Sequence, residues 1–291
     1  MKVHLIDGTY ELFRQFYGRP EPGEFGATVG VLRSTLTLLA NGATHVGVAS
    51  DHVIESFRND LWAGYKTSEG MEPAILAQIP VLEEALVAMG ITVWAMVEHE
   101  ADDALASAAA VAAADPNVDQ VLICTPDKDL GQCVGGKVLQ WDRRNDLTLD
   151  AEAVQAKFGV PPSAIPDYLA LVGDSADGFP GLPGWGAKST SIALARYGRL
   201  EDIPVDPTQW DVPVRGAAKL AATLNEQREL ALLFRQVATC ALDVEVGTVE
   251  SWRWTGPTPQ FADVCQQLGS TRLADDARKG FERWSAQNAS A

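Results

Sequence analysis

Short apolar runs that end in acids recur through the first half of the chain. Val3–Ile6 runs into Asp7, His45–Ser50 into Asp51, Ile91–Val97 toward Glu98 and Glu100, and Val121–Thr125 toward Asp127 and Asp129. Each run has the length and β-branched content of a strand. Between them, apolar residues keep three- and four-residue spacing: Val29, Leu32, Leu36 and Leu39, then Ile75, Ile79, Leu82 and Leu86. That period belongs to amphipathic helices. Strands alternating with helices predict an α/β fold, a mostly parallel twisted sheet flanked by helices. Ligand sites in such sheets lie at the C-terminal strand ends, which is where these acids stand.

After about Ala151 the pattern turns helical. Ala164–Val172 and Ala187–Tyr197 read as helices, with Gly198 placed to end the second. A Gly/Pro-rich segment, Gly173–Gly186, separates them, and a longer helical stretch is expected from Arg215 to about Cys240. The expected division is a sheet domain over 1–160 and a helical domain over 161–291. The tail from Ser285 to Ala291 is small and polar and is expected to fray.

Composition narrows the class. With 46% apolar and 21% charged residues over 291 positions, the chain reads as a soluble globular protein. The Ala-rich stretch Ala104–Ala114 is too short to span a bilayer. The N-terminus enters a strand pattern at once, so no signal peptide and a cytoplasmic location are expected. Cys124, Cys133, Cys240 and Cys265 form no Cys-x-x-Cys pair, and His4, His45, His52 and His99 form no His-x-x-x-His pair. That argues against zinc and for reduced thiols. A formal net charge of −16 argues, taken alone, against a nucleic-acid partner.

The acids Asp7, Asp51, Glu100, Asp102, Asp103, Asp127, Asp129, Asp174 and Asp177 change that picture. Singly, each has an ordinary reading. Asp7 or Asp51 suits a turn after a strand, Glu100, Asp102 and Asp103 suit the first turn of a helix, Asp127-Lys128-Asp129 suits a solvated loop, and Asp174–Asp177 suits a capping turn. Jointly, the first seven would converge on one sheet edge. Two carboxylates about 6 Å apart repel by roughly 3 kcal/mol at an effective dielectric near 20. Such a set needs cations among it. Oxygen ligands without His or Cys point to Mg²⁺ or Mn²⁺, and two such ions can hydrolyse a phosphodiester.

Four blocks make the chain recognisable. They are Leu5-Ile6-Asp7-Gly8-Thr9 with Arg14; Asp51 with Ser56-Phe57-Arg58 and Gly64-Tyr65-Lys66; Glu100–Ala106 with Thr125–Leu130; and Leu171–Gly181 followed by Gly184-Trp185-Gly186-Ala187-Lys188-Ser189. In order and spacing they resemble the 5′–3′ exonuclease/flap endonuclease family, above all the 5′-nuclease domain of bacterial DNA polymerase I and its free-standing relatives. The resemblance runs from residue 5 to about 200 and more weakly to about 280. It implies a PIN-like catalytic domain followed by a helical domain with a helix–three-turn–helix DNA-binding motif. It also implies a 5′–3′ exonuclease or flap endonuclease with two or three Mg²⁺ or Mn²⁺ ions. Asp7, Asp51, Glu100, Asp102, Asp103 and Asp127 or Asp129 would form a tighter metal site, and Asp129, Asp174 and Asp177 a looser one. Lys66 and Arg58 would contact the scissile phosphate, and Tyr65 would stack on a base. Arg14, Gly184, Gly186, Lys188 and Ser189 would bind DNA, with glycines allowing close backbone approach and helix N–H groups holding a phosphate. Relatives place a K⁺ ion in that loop.

The chain departs from the family at Glu69, where relatives commonly carry Arg. The acidic balance limits DNA contact to a local stripe: Arg14, Arg58, Lys66, Lys188, Arg215 and Lys219. The expected partner is DNA with 5′ flaps, branches or 5′ ends, in replication or repair, with the chain acting alone or beside a separate polymerase. A branched-DNA-binding member that cuts poorly is the second reading. A small RNA-cutting nuclease is the third.

Overall fold

The computed structural model describes residues 1–18 and 21–288. By contacts the chain divides into two compact units. One comprises Met1–Ile54, Ser68–Thr125 and the chain from Leu242 onward; the other comprises Glu55–Thr67 and Pro126–Ala241.

The first unit is built on four parallel strands, β1 (Lys2–Asp7), β2 (His45–Asp51), β3 (Thr92–Met96) and β4 (Gln120–Cys124), ordered β3-β2-β1-β4. β1 and β2 are buried along almost their whole length, as strands covered on both faces must be. The register pairs Asp7 with Ala49, Ile6 with Cys124 and Asp51 with Met96, so Asp7, Asp51 and Thr125 reach the same C-terminal edge. The helix Ala101–Ala114 lies across the strands on a face of small side chains, with Ala104, Ala108 and Ala112 fully buried. The expected helical periods appear in Gly26–Ala40 and in Pro73–Leu76 with Gln78–Ala88.

Sequence periodicity did not anticipate where the C-terminal chain goes. Residues 242–288 pack on this sheet unit through tryptophans. Trp254 donates its backbone N–H to the Thr44 carbonyl at 2.9 Å, and Trp284 Nε1 donates to the Ala43 carbonyl at 2.8 Å. Trp252 stands edge-on to Trp94 at 5.3 Å. Each indole buries a large apolar area while its N–H finds a carbonyl. The expected fraying from Ser285 is corrected: Thr271–Asn288 is one helix, and 289–291 lie outside the described residues.

The second unit holds an antiparallel hairpin, β5 (Val138–Asp142) and β6 (Leu147–Leu149), followed by helices Ala151–Phe158, Ile165–Val172, Ala187–Tyr197, Ala217–Glu226 and Arg228–Ala238. The hairpin turn is held by Asp142 Oδ1, which accepts from the N–H groups of Arg144 and Asn145. Ile165–Val172 is buried from Ile165 to Leu171 and packs on Arg228–Ala238, with Phe179 and Phe234 in contact at 5.6 Å. The helical stretch expected from Arg215 to about Cys240 comprises two helices that meet at Gln227, whose φ of −115° leaves the helical range. No Gly or Pro marks that break, so packing sets it.

Candidate metal and nucleic-acid site

In the sheet unit the acids are held by backbone donors at element ends. Asp7 caps the helix Gly8–Tyr17: its Oδ1 accepts from the Tyr10 N–H at 2.8 Å, and its Oδ2 accepts from the Thr125 hydroxyl at 3.0 Å. Asp51 Oδ1 accepts from the Ala101 N–H at 2.8 Å, which ties the end of β2 to the start of the Ala101–Ala114 helix. Glu100 and Asp103 are buried in that helix's first turn, where Asp103 Oδ2 accepts from the Glu100 N–H at 2.9 Å; Asp102 is half-buried. The positive end of the helix dipole favours all three.

In the second unit, Asp129, Asp174 and Asp177 each bring a carboxylate oxygen within 4.8 Å of the others. Two local devices place them. The segment Asp127–Asp129 folds on itself, with Asp127 Oδ1 accepting from the Asp129 N–H at 3.0 Å, and Gln140 Nε2 binds the Asp127 carbonyl. Asp174 and Asp177 sit in a closed loop pinned by reciprocal backbone bonds between Asp174 and Phe179. The loop also lies against the Gly64–Lys66 segment: the Lys66 N–H donates to the Asp177 carbonyl at 2.9 Å and Trp62 Nε1 to the Gly178 carbonyl at 3.1 Å. Gly178 has φ +83°, and a Cβ there would come within 2.1 Å of the Gly64 carbonyl oxygen, so only glycine fits.

Three carboxylates this close repel one another by about 3 kcal/mol per pair at an effective dielectric of 20. Two ammonium groups offset part of this: Lys66 Nζ lies 3.0 Å from Asp177 Oδ1 and Lys128 Nζ lies 2.6 Å from Asp174 Oδ2. Asp129 is served less well. Burial, then the charges of Asp127, Asp177 and Asp174, push its carboxyl well above the ordinary aspartate range, against the pull of Lys128. Burial likewise raises Asp177, with Lys66 opposing. Asp129 is 7% exposed and its Oδ1 is buried without a hydrogen-bond partner. Three hard oxygen donors with one orphaned oxygen fit a hard divalent cation.

Other expected site residues fall elsewhere. Arg58 is 3% exposed and donates from Nε to the Val237 carbonyl at 2.7 Å and from a terminal nitrogen to the Thr239 carbonyl at 3.1 Å. These contacts clamp the C-terminal end of the Arg228–Ala238 helix. Tyr65 is 5% exposed in the apolar core of its unit, so the expected stacking face is turned inward. Arg14 pairs with buried Glu11 at 2.5 Å. Gly184, Gly186, Lys188 and Ser189 line a cavity of about 520 Å³ with Arg215 at the start of the Ala187–Tyr197 helix. Ser189 Oγ accepts from the Gly186 N–H at 3.1 Å and caps that helix. The space around Gly186 is open, whereas Gly173, Gly178 and Gly181 are each packed against backbone.

Sequence reading passed over Thr125, Lys128, Gln132 and Gln140. Gln132 fixes the turn that carries Asp129 by donating to the Asp129 and Ala238 carbonyls and accepting from the Cys240 N–H at 3.0 Å. A lysine between two metal-type acids was the one available signal, at Lys128.

Residues 2–159 match the family described as 5′-3′ exonuclease, N-terminal resolvase-like domain, and residues 160–260 match 5′-3′ exonuclease, C-terminal SAM fold. DNA polymerase I of Pseudomonas aeruginosa is 35% identical over 258 residues, 83% of this chain. The chain spans only 27% of that relative's length. The 5′-3′ exonuclease of Aquifex aeolicus is 35% identical over 208 residues, 69% of this chain and 71% of the relative. The fold is shared with the bacteriophage T5 D15 flap endonuclease in a pseudo-enzyme–product complex with DNA and metal ions. That match has a TM-score of 0.66 and 17% identity, and covers 98% of this chain and 100% of the other. Among the described residues, no helix is long and apolar enough to cross a membrane.

Proposed function

The chain belongs to the 5′–3′ exonuclease family, and from that premise we propose that it is a divalent-metal-dependent 5′ nuclease that hydrolyses DNA at 5′ ends or 5′ flaps. The observation that carries the reading is the Asp129, Asp174 and Asp177 set with its orphaned, buried Asp129 oxygen. Similarity to the exonuclease of Aquifex aeolicus supports the reaction class.

In this reading each unit contributes its own carboxylates at two ions, Mg²⁺ or Mn²⁺. Asp7, Asp51, Glu100, Asp102 and Asp103 would hold one, with Asp129, Asp174 and Asp177 holding the other. Such ions, when bound, supply an activated water and stabilise the leaving oxygen. The protein's own groups orient and neutralise. The Tyr10 N–H and Thr125 hydroxyl fix the Asp7 side chain in place. Lys66, 27% exposed at its side chain, is the cation placed to balance charge that develops on the scissile phosphate. Lys188 and Arg215 around the 520 Å³ cavity, with the N–H groups of the Ala187–Tyr197 helix, would hold a duplex phosphate. Residues 1–160 would carry most of the metal-holding acids, and 161–291 would add Asp174 and Asp177 and bind the duplex, with a separate polymerase as the partner.

The test is a 5′-labelled flap substrate with product sizing in Mg²⁺, Mn²⁺ and EDTA, run with wild type and Asp174→Asn. Cleavage that needs the metal and is lost in the variant supports the reading. Binding without cleavage by both proteins would move the chain to the second reading, a branched-DNA binder, which inward-facing Arg58 and Tyr65 favour.

A further inference from the structure

Lys128 stands between two acids of the candidate site in sequence, and its ammonium pairs with a third. Its ammonium lies 2.6 Å from Asp174 Oδ2, 46 positions further along the chain, with an Asp174 side chain that is 3% exposed. The Lys128 carbonyl accepts from the Gly131 N–H at 3.0 Å, so the lysine's backbone is part of the turn that carries Asp129. One residue thus joins both halves of the trio: its backbone shapes the Asp129 turn and its side chain grips the Asp174 loop. The side chain is still 36% exposed, so its head has a short route to water.

We propose that Lys128 is a tethered counter-ion for the Asp129, Asp174 and Asp177 set. It keeps the three ligands assembled when no divalent ion is bound and is displaced into solvent when one binds. The proposal rests on the metal reading of the trio given above. Its physical basis is exchange: a +1 ammonium and a +2 ion compete for the same Asp174 oxygen, and the protein cannot accommodate both there without repulsion. The lysine therefore weakens metal binding while protecting the metal-free fold. By linkage, the metal must in turn weaken the hold on Lys128.

Three measurements on the full chain test this, with Mn²⁺ as the probe. In calorimetric titration, Lys128→Met, which keeps length and removes charge, should bind Mn²⁺ about tenfold more tightly than wild type, within the usual span of coupled sites. Lys128→Gln should behave alike if the methionine variant misfolds, and Lys128→Arg should resemble wild type. In EDTA, Lys128→Met should melt at a lower temperature than wild type, and saturating Mn²⁺ should close the gap. Reductive methylation of wild-type Lys128, read by mass spectrometry, should be slow in EDTA and faster in Mn²⁺. Unchanged or weaker Mn²⁺ binding in the neutral variants, or labelling of Lys128 that ignores Mn²⁺, would overturn the proposal. Asp174→Asn separates the two readings. If wild type shows no Mn²⁺ event that this variant loses, the metal reading itself fails; if the event is present but indifferent to Lys128, only the counter-ion is wrong.

Discussion

Arg58 Nε donates to the Val237 carbonyl at 2.7 Å across 179 positions of sequence. A buried guanidinium bound to helix-terminal carbonyls is a structural cation, favoured by the negative end of the helix dipole. Arg58→Ala should therefore act on stability. Losing charge-assisted bonds and leaving buried carbonyls unmet costs about 2–4 kcal/mol, to be read as a lower urea midpoint. A variant with unchanged stability but a raised KM for DNA would instead give Arg58 the phosphate contact.

Asp129 fixes the sign of a pH effect. Its carboxyl titrates above its unfolded value, chiefly through burial. The folded state therefore holds that proton more tightly than the unfolded state. Stability in EDTA should fall as pH rises from the ordinary aspartate value of about 3.9 through the raised one. Asp129→Asn removes the titration. It should stabilise the metal-free protein at neutral pH, flatten that part of the pH profile, and abolish stabilisation by Mn²⁺. Thermal melts across pH, with and without metal, check each point.

Gly178 makes the loop that carries Asp174 and Asp177 sensitive to a single methyl group. Gly178→Ala places a Cβ against the Gly64 carbonyl at a positive φ. A cost of about 2 kcal/mol or more is expected, from strain plus displacement of one chain. Mn²⁺ binding should weaken with it. A stable variant with normal metal binding would show that the Gly64–Lys66 segment does not position Asp177.

DNA affinity should depend weakly on salt. Of the expected stripe, Arg58 is buried and Arg14 is held by the buried Glu11; Lys188, Arg215 and Lys219 are counted, with Lys66 because its partner Asp177 is a proposed metal ligand. About four phosphate contacts give a slope of log affinity against log salt near −3.6 for duplex DNA. A slope beyond about −7 would mean that a further basic surface engages the duplex.

The thiols should differ in reactivity. Burial pushes the Cys265 thiol up to about 11, while Cys133 is half-buried. Cys133 should be labelled in the native protein at neutral pH before Cys265, because only thiolate reacts. Peptide mapping after brief labelling would decide it.

Some of this was legible in the amino-acid order because it is local. Apolar runs of strand length, helical spacing, and acids just past each run are short-range patterns. They place Asp7, Asp51 and Glu100 at element ends without any knowledge of packing. Gly198, too, announced the end of its helix. What tertiary structure decided was where side chains of ambiguous chemistry point. Arg58 reads as a phosphate ligand until Val237 and Thr239 arrive from 179 and 181 positions away. Tyr65 reads as a stacking platform until a core closes over it. Lys128 reads as a loop lysine until the Asp174 loop folds back to meet it. The break at Gln227 and the return of Trp252, Trp254 and Trp284 to the sheet unit have the same origin. Periodicity reports which residues must leave water, but the partner each of them finds is set by contacts between distant segments, which a linear pattern does not encode.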